Sequence, residues 1–293
     1  MPHPFAGKPR AVRWAALALL IVAAAALTAG PAVAGSPGSY VALGDSYTAG
    51  PLVLPQDPNT PGCFRSVLNY PHLLNARYQF SGFADVSCSG ARTNDMFAPQ
   101  VVGGGVNPPQ LDALRSSTKL VTLQIGGNDI GFSEIATSCA TLLPLGTPCR
   151  TLYAPGGVDE ISRRINETRS KVDAVIAAIK QRSPEARIYL IGYPALFPET
   201  GVGCWPVMPY APEDVPYLIA KEKELNSMLA ERAGAGGVTF VDTYTPSIGH
   251  DACALPTIRW VEPVIVPLMG FVIHPNVFGM SGMETATAAA IGP

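Results

Sequence analysis

Five short runs of aliphatic and β-branched residues recur along the chain, at 40–43, 84–87, 119–125, 186–191 and 238–241. Most are continuous rather than alternating in polarity. A continuous run marks a strand buried on both faces, which happens in a parallel sheet and not at a solvated surface. Parallel strands need crossover connections, and the stretches between these runs supply them. Over 158–182, Ile161, Ile165, Val172, Val175, Ile176 and Ile179 form one stripe, while Arg163, Arg164, Glu167 and Lys171 face away. A second helix is predicted at about 213–232, with Pro216 tolerable in its first turn, and a third at 277–291. Strand and helix in alternation predict an α/β fold, a three-layer α/β/α sandwich around a central parallel sheet of about five strands.

The beginning of the chain follows another logic. Lys8, Arg10 and Arg13 precede an apolar run from Trp14 to Leu27, and Ala32-Val33-Ala34 follows. This is the pattern of a secretory leader with a small-residue cleavage site, too short for a spanning helix of roughly 20 residues. Residues 1–34 are therefore expected to be removed, leaving 35–293 as one secreted domain with no membrane span. The whole chain has 20 Lys+Arg and 22 Asp+Glu; the three leader charges are all basic, so 17 remain against 22, a net charge of -5. With no basic cluster there is no footprint for nucleic acid.

All six cysteines, Cys63, Cys88, Cys139, Cys149, Cys204 and Cys253, lie beyond the leader. An even count in an exported chain reads as disulfides, and the absence of a CxxC pair argues against zinc or redox roles. Six cysteines allow 15 pairings, which spacing alone leaves open.

In a parallel sheet the working residues collect on loops after the strand carboxyl ends. After the first run comes Gly44-Asp45-Ser46-Tyr47, where a serine on a sharp turn would raise its hydroxyl above the sheet edge. After the third comes Gly126-Gly127-Asn128-Asp129, whose Asn128 amide can donate two hydrogen bonds toward a negative oxygen. Between them Cys88-Ser89-Gly90-Ala91 offers a further N–H at Gly90. Histidine is the side chain best suited to accept a serine proton near neutral pH, and the processed chain has His72, His250 and His274. His274 opens the last helix and can overhang the sheet edge. His72 reads as a structural residue inside a helix, and His250 is the rival base.

Nucleophile, oxyanion donors and late base, in that order, compose an acyl-transfer site. With them the chain resembles the SGNH (GDSL) hydrolases: Ser46, Gly90, Asn128 and His274 stand at that family's four signature positions in order. It is most similar to the secreted actinobacterial esterases and lipases. The resemblance implies a flavodoxin-like strand order and disulfides paired in sequence, Cys63–Cys88, Cys139–Cys149 and Cys204–Cys253. It implies Ser46 as nucleophile, the N–H groups of Ser46 and Gly90 with the Asn128 amide as oxyanion hole, and His274 as base, with no cofactor and no metal.

One departure matters. Many members have an aspartate three residues before the histidine, where this chain has Phe271. The expectation is a Ser46–His274 dyad with the Phe271 main-chain carbonyl orienting the ring, rather than Asp242 or Asp251. The pattern Arg259-Trp260-Val261-Glu262-Pro263 is similar to that of members that use a carbonyl there. The uncharged stretch 264–273 and the loop 194–212, with Phe197, Trp205, Met208 and Tyr210, are candidate cleft walls suited to an acyl chain. The expected activity is hydrolysis of a small-molecule ester or lipid by a secreted monomer. An acyltransferase with the same residues is the alternative, and a binding module on the same fold a weaker one. No P-loop, dinucleotide fingerprint or HExxH motif is present, so nucleotide, redox and zinc-protease chemistry have no support.

Overall fold

The computed structural model describes residues 38–59 and 61–293. The leader read over 1–34 lies outside them. Five parallel strands, β1 (Ser39–Gly44), β2 (Gly82–Asp85), β3 (Thr118–Gln124), β4 (Arg187–Ile191) and β5 (Thr239–Val241), form one sheet. Their order is β2-β1-β3-β4-β5, all neighbours parallel. This is the doubly wound order expected, and it leaves a topological switch point between β1 and β3.

The strands are apolar on both faces because each face meets a helical layer. Val41, Leu43, Val121, Leu123, Ile188 and Leu190 pack against α5 (Glu160–Arg182) and α6 (Val215–Gly236). The alternate residues Tyr40, Ala42, Leu120, Tyr189 and Ile191 pack against α2 (Tyr70–Tyr78) and α7 (Val277–Ile291). In α5 the seven buried residues include all six of the apolar stripe and add Thr168, while Asp159 caps its first turn by accepting from Ser162 N–H.

Strand boundaries differ most at β2, which begins two residues before the aliphatic run. It is an edge strand, half-buried throughout, so its residues need not be uniformly apolar. The run 84–87 is still used: Val86 and Cys88 continue donating to the carbonyls of Ala42 and Gly44 beyond the strand end. A small antiparallel hairpin, Gln100–Val102 with Gly105–Asn107, was not anticipated, because Val101 and Val106 stay exposed and leave no burial signal.

The disulfides join Cys63 to Cys88, Cys139 to Cys149 and Cys204 to Cys253, the pairing that the resemblance implied. None of the six cysteines lies in a strand; Cys139 caps the end of one short helix and Cys149 lies in another, α4 (Pro148–Tyr153). Cys204–Cys253 spans 49 residues, and loop-closure entropy gives it roughly 4 kcal/mol. Replacing both of its cysteines by alanine is expected to lower Tm by roughly 8–16 °C in calorimetry, and a shift below about 2 °C would show that this bridge adds no constraint.

Candidate active site

Ser46 opens a four-residue helix, α1 (Ser46–Ala49), immediately after β1. Asp45 caps it, its Oδ1 accepting the Tyr47 N–H at 2.9 Å. The turn leaves the Ser46 N–H without a hydrogen-bond partner among the described residues, as is the Gly90 N–H, where φ is +80°. Asn128, after β3, spends one of its two amide protons on the Ala91 carbonyl at 3.0 Å. Its second remains available to a ligand.

The decisive contact is between distant parts of the chain. His274 Nε2 lies 2.8 Å from Ser46 Oγ, both residues being nearly buried. The other ring nitrogen, Nδ1, lies 2.8 Å from a main-chain carbonyl, which is Val272's and not Phe271's. The expectation of Phe271 is corrected here for a local geometric reason. The Phe271 carbonyl accepts the backbone N–H of His274 itself at 3.2 Å, closing a four-residue turn. Ile273 is the third residue of that turn at φ +58°, as in type II geometry, and the Val272 carbonyl is the one presented to the ring. Because a carbonyl can only accept, Nδ1 carries the proton and Nε2 is the acceptor for Ser46.

A β-branched residue at positive φ is uncommon, so the surroundings must impose it. The Tyr47 hydroxyl donates to the Ile273 carbonyl at 2.7 Å, and the Ile273 N–H donates to the Glu262 carbonyl at 2.8 Å. Glu262 is wholly buried, pairs with Arg259 at 2.6 Å and accepts from Leu268 N–H and from Asn276 Nδ2. Asn276 in turn caps α7 through the N–H groups of Phe278 and Gly279. The 259–263 pattern is thus the buried frame of the histidine loop. Glu262 and Asn276 carried no mark of this in the sequence beyond their nearness to His274.

The other candidates lie apart. His72 Nδ1 bonds Asn69 Oδ1 at 2.7 Å on α2, and His250 Nδ1 bonds the Ile258 carbonyl at 2.6 Å while its ring stacks on Trp260. Asp242 caps a turn through the N–H groups of Tyr244 and Thr245, and Asp251 accepts from Cys253 N–H. Neither carboxylate bonds His274.

Beneath Ser46 and Asn128 runs an apolar cavity walled by Ile130, Phe132, Ile135, Leu196, Phe197 and Leu225. Phe197 and Tyr210 of the 194–212 loop line it as anticipated, whereas Met208 packs into the core and Trp205 lies partly exposed outside it. Of the stretch 264–273 only Ile273 lines the cavity; Ile265, Val266, Leu268 and Phe271 are exposed. Helices α5 and α6, with α3 (Phe132–Ser138), provide most of the remaining wall, which strand-end reasoning could not locate. Two carboxyls, Asp45 and Glu222, and Lys221 also line it; both Glu222 oxygens share the Leu196 N–H, and burial pushes Glu222 well above the usual carboxylate range. Among the described residues there is no acidic, histidine and cysteine cluster suited to a metal ion, and no helix is long and apolar enough to cross a membrane.

A family model described as the GDSL-like lipase/acylhydrolase family matches residues 42–281. The chain belongs to that family. It is 38% identical over 300 residues to Lipase 2 of Streptomyces coelicolor, covering 100% of this chain and 99% of that one. Among solved structures it is similar to a phospholipase A1 from Streptomyces albidoflavus, with a TM-score of 0.73 at 28% identity, covering 86% of this chain and 98% of that chain. An extracellular lipase from Streptomyces rimosus gives a TM-score of 0.73 at 30% identity, covering 86% and 99%. With this membership the chain is a carboxylic ester hydrolase.

Electrostatics set the pH range in which the site can work. Burial lowers His274 to about 4, with the Val272 carbonyl opposing only in part. The imidazole is therefore neutral, and able to accept a proton, at every pH well above 4. Burial raises Asp45 to about 7, against the hydrogen bonds it accepts from Tyr193 and Tyr47. As pH falls, kcat/KM should show a shoulder near pH 7 from Asp45 and vanish only toward pH 4, when His274 is protonated. Asp45→Asn should remove the shoulder and keep the lower limb. A single limb near 6.5 in both proteins would contradict this assignment.

Proposed function

We propose that residues 35–293 form one exported hydrolase domain, acting as a monomer, that cleaves acyl esters of lipids through an acyl-enzyme on Ser46. The observation that carries this reading is the 2.8 Å contact from Ser46 Oγ to a neutral His274 whose Nδ1–H is bound to the Val272 carbonyl. In the first half-reaction Ser46 Oγ attacks the ester carbonyl carbon while its proton passes to Nε2. The carbonyl oxygen becomes negative and meets the N–H groups of Ser46 and Gly90 and the free amide proton of Asn128. The tetrahedral species collapses, the alcohol leaves with the proton from Nε2, and the acyl chain stays in the apolar cavity. Water then attacks the acyl carbon while giving a proton to the same nitrogen; the bond from that carbon to Ser46 Oγ breaks as Oγ takes the proton back from Nε2, and the carboxylic acid leaves. No side-chain carboxylate takes part, because the main-chain carbonyl already selects the tautomer.

Purified protein with p-nitrophenyl esters of graded chain length tests this reading. Ser46→Ala should abolish turnover, and Asn128→Ala should lower kcat by roughly 10²–10³ with KM nearly unchanged. Asp242→Asn and Asp251→Asn should stay within a few-fold of the parent protein, whereas loss of a true triad carboxylate costs about 10⁴ in serine proteases. A well-folded Asp251→Asn protein with a loss of that size would restore a side-chain triad.

Export carries its own measurement. The charge, apolar run and Ala32-Val33-Ala34 sequence place cleavage after Ala34, so N-terminal sequencing of protein from culture medium should begin at Gly35 or within a few residues. Material retaining Trp14 to Leu27 would be anchored instead.

A further inference from the structure

Three loops must keep their spacing for this chemistry, and one side chain that has no part in the proton path bridges two of them. Tyr193 follows β4 and is almost wholly buried. Its hydroxyl donates to Asp45 Oδ2 at 2.6 Å and accepts the Gly127 N–H at 2.9 Å. Asp45 adjoins Ser46 and caps α1; Gly127 adjoins Asn128. The hydroxyl thus lies one residue away from two of the three oxyanion donors. Its own backbone is clamped by Asn226 of α6, which accepts the Tyr193 N–H at 2.7 Å and donates to the Tyr193 carbonyl at 3.0 Å. The ring packs edge-on against Tyr47, with centroids 5.1 Å apart. Gly127 lies so close that a Cβ there would stand 3.1 Å from the tyrosine oxygen.

We propose that Tyr193 is a positioning residue of the esterase, its hydroxyl setting the separation of the Ser46 N–H from the Asn128 amide so that both reach one oxyanion. This rests on the oxyanion hole proposed above. The bond network is suited to the task because both partners are held by directional bonds to one oxygen, and that oxygen belongs to a residue fixed from behind. A shift of Gly127 carries Asn128 with it, and a misplacement of about 1 Å at a reacting centre can cost about 10² in rate.

The test is a double-mutant cycle of Tyr193→Phe with Asn128→Ala, with active protein counted by fluorophosphonate titration so that unfolded material does not enter kcat. Tyr193→Phe should lower kcat roughly 10- to 100-fold and weaken a trifluoromethyl ketone inhibitor by a similar factor, while KM for a soluble ester stays near the parent value. In the Asn128→Ala background it should cost no more than about twofold, since the group it positions is gone. Gly127→Ala displaces the same loop while keeping the tyrosine, and should give the same kcat-selective loss; it carries the test if Tyr193→Phe does not fold. The proposal is overturned by a Tyr193→Phe protein with parental kcat, by an effect confined to KM, or by an undiminished loss in the Asn128→Ala background. If Asn128→Ala itself leaves kcat and inhibitor affinity at parental values, the oxyanion reading fails rather than the role of Tyr193.

Discussion

The hydrogen bond between Ser46 and His274 joins residues 228 positions apart. Such a contact has no local stabilisation, so its geometry depends on how rigidly each end is mounted. The serine end sits on a capped turn at the carboxyl edge of a central strand. The histidine end sits on a loop without regular structure, backed by the buried polar side chains of Arg259, Glu262 and Asn276. Arg259, Glu262 and Asn276 form a network in which the charges are paired and most remaining donors and acceptors find main-chain partners. Removing Arg259 or Glu262 would leave a buried charge unpaired, typically a loss of about 3–5 kcal/mol.

The same rigidity explains how, in the proposed mechanism, a dyad would serve without a triad carboxylate. A carboxylate orients an imidazole by charge as well as direction, whereas a carbonyl offers direction alone. Here the carbonyl is held by a turn that forces Ile273 into a left-handed conformation, and Tyr47 secures that turn from the serine loop. The rings of Tyr47, Phe132 and Phe271 surround the imidazole. Their exclusion of water favours the neutral base, the form needed before attack, at the expense of the imidazolium formed during it. In the proposed mechanism the oxyanion donors would then carry more of the transition-state charge stabilisation.

Apolar lining and directional polar contacts divide the site between them. The cavity wall from α3, α5 and α6 can hold an acyl chain without specific bonds, since burial of each methylene contributes about 0.8 kcal/mol. In the proposed mechanism the reacting carbonyl would instead meet groups held by directional hydrogen bonds to Asp45, Ala91 and Tyr193. Asp45, Lys221 and Glu222 are the charged exceptions in the apolar wall, and Glu222 is a half-buried carboxyl with a single N–H between its two oxygens.

What the chain determined by itself were the features written in local pattern. Continuous aliphatic runs specify buried parallel strands, the α5 stripe specifies one packed face, and small residues around Ser46, Gly90 and Asn128 mark sharp turns after strands. These follow from nearest-neighbour sterics and periodic burial, and the structure kept the parallel strands and the helix register they imply; the strand order was implied by the family resemblance. Tertiary structure alone decided which carbonyl faces His274, because that choice turns on the sign of φ at Ile273, imposed by Tyr47 and Glu262 from other segments. It alone placed Tyr193 between the serine and asparagine loops, and lined the apolar cavity with residues of α3, α5 and α6 where the 264–273 stretch contributes Ile273 alone. An isolated tyrosine or an uncharged stretch has no periodicity to betray its orientation, so its role exists only once distant segments have met.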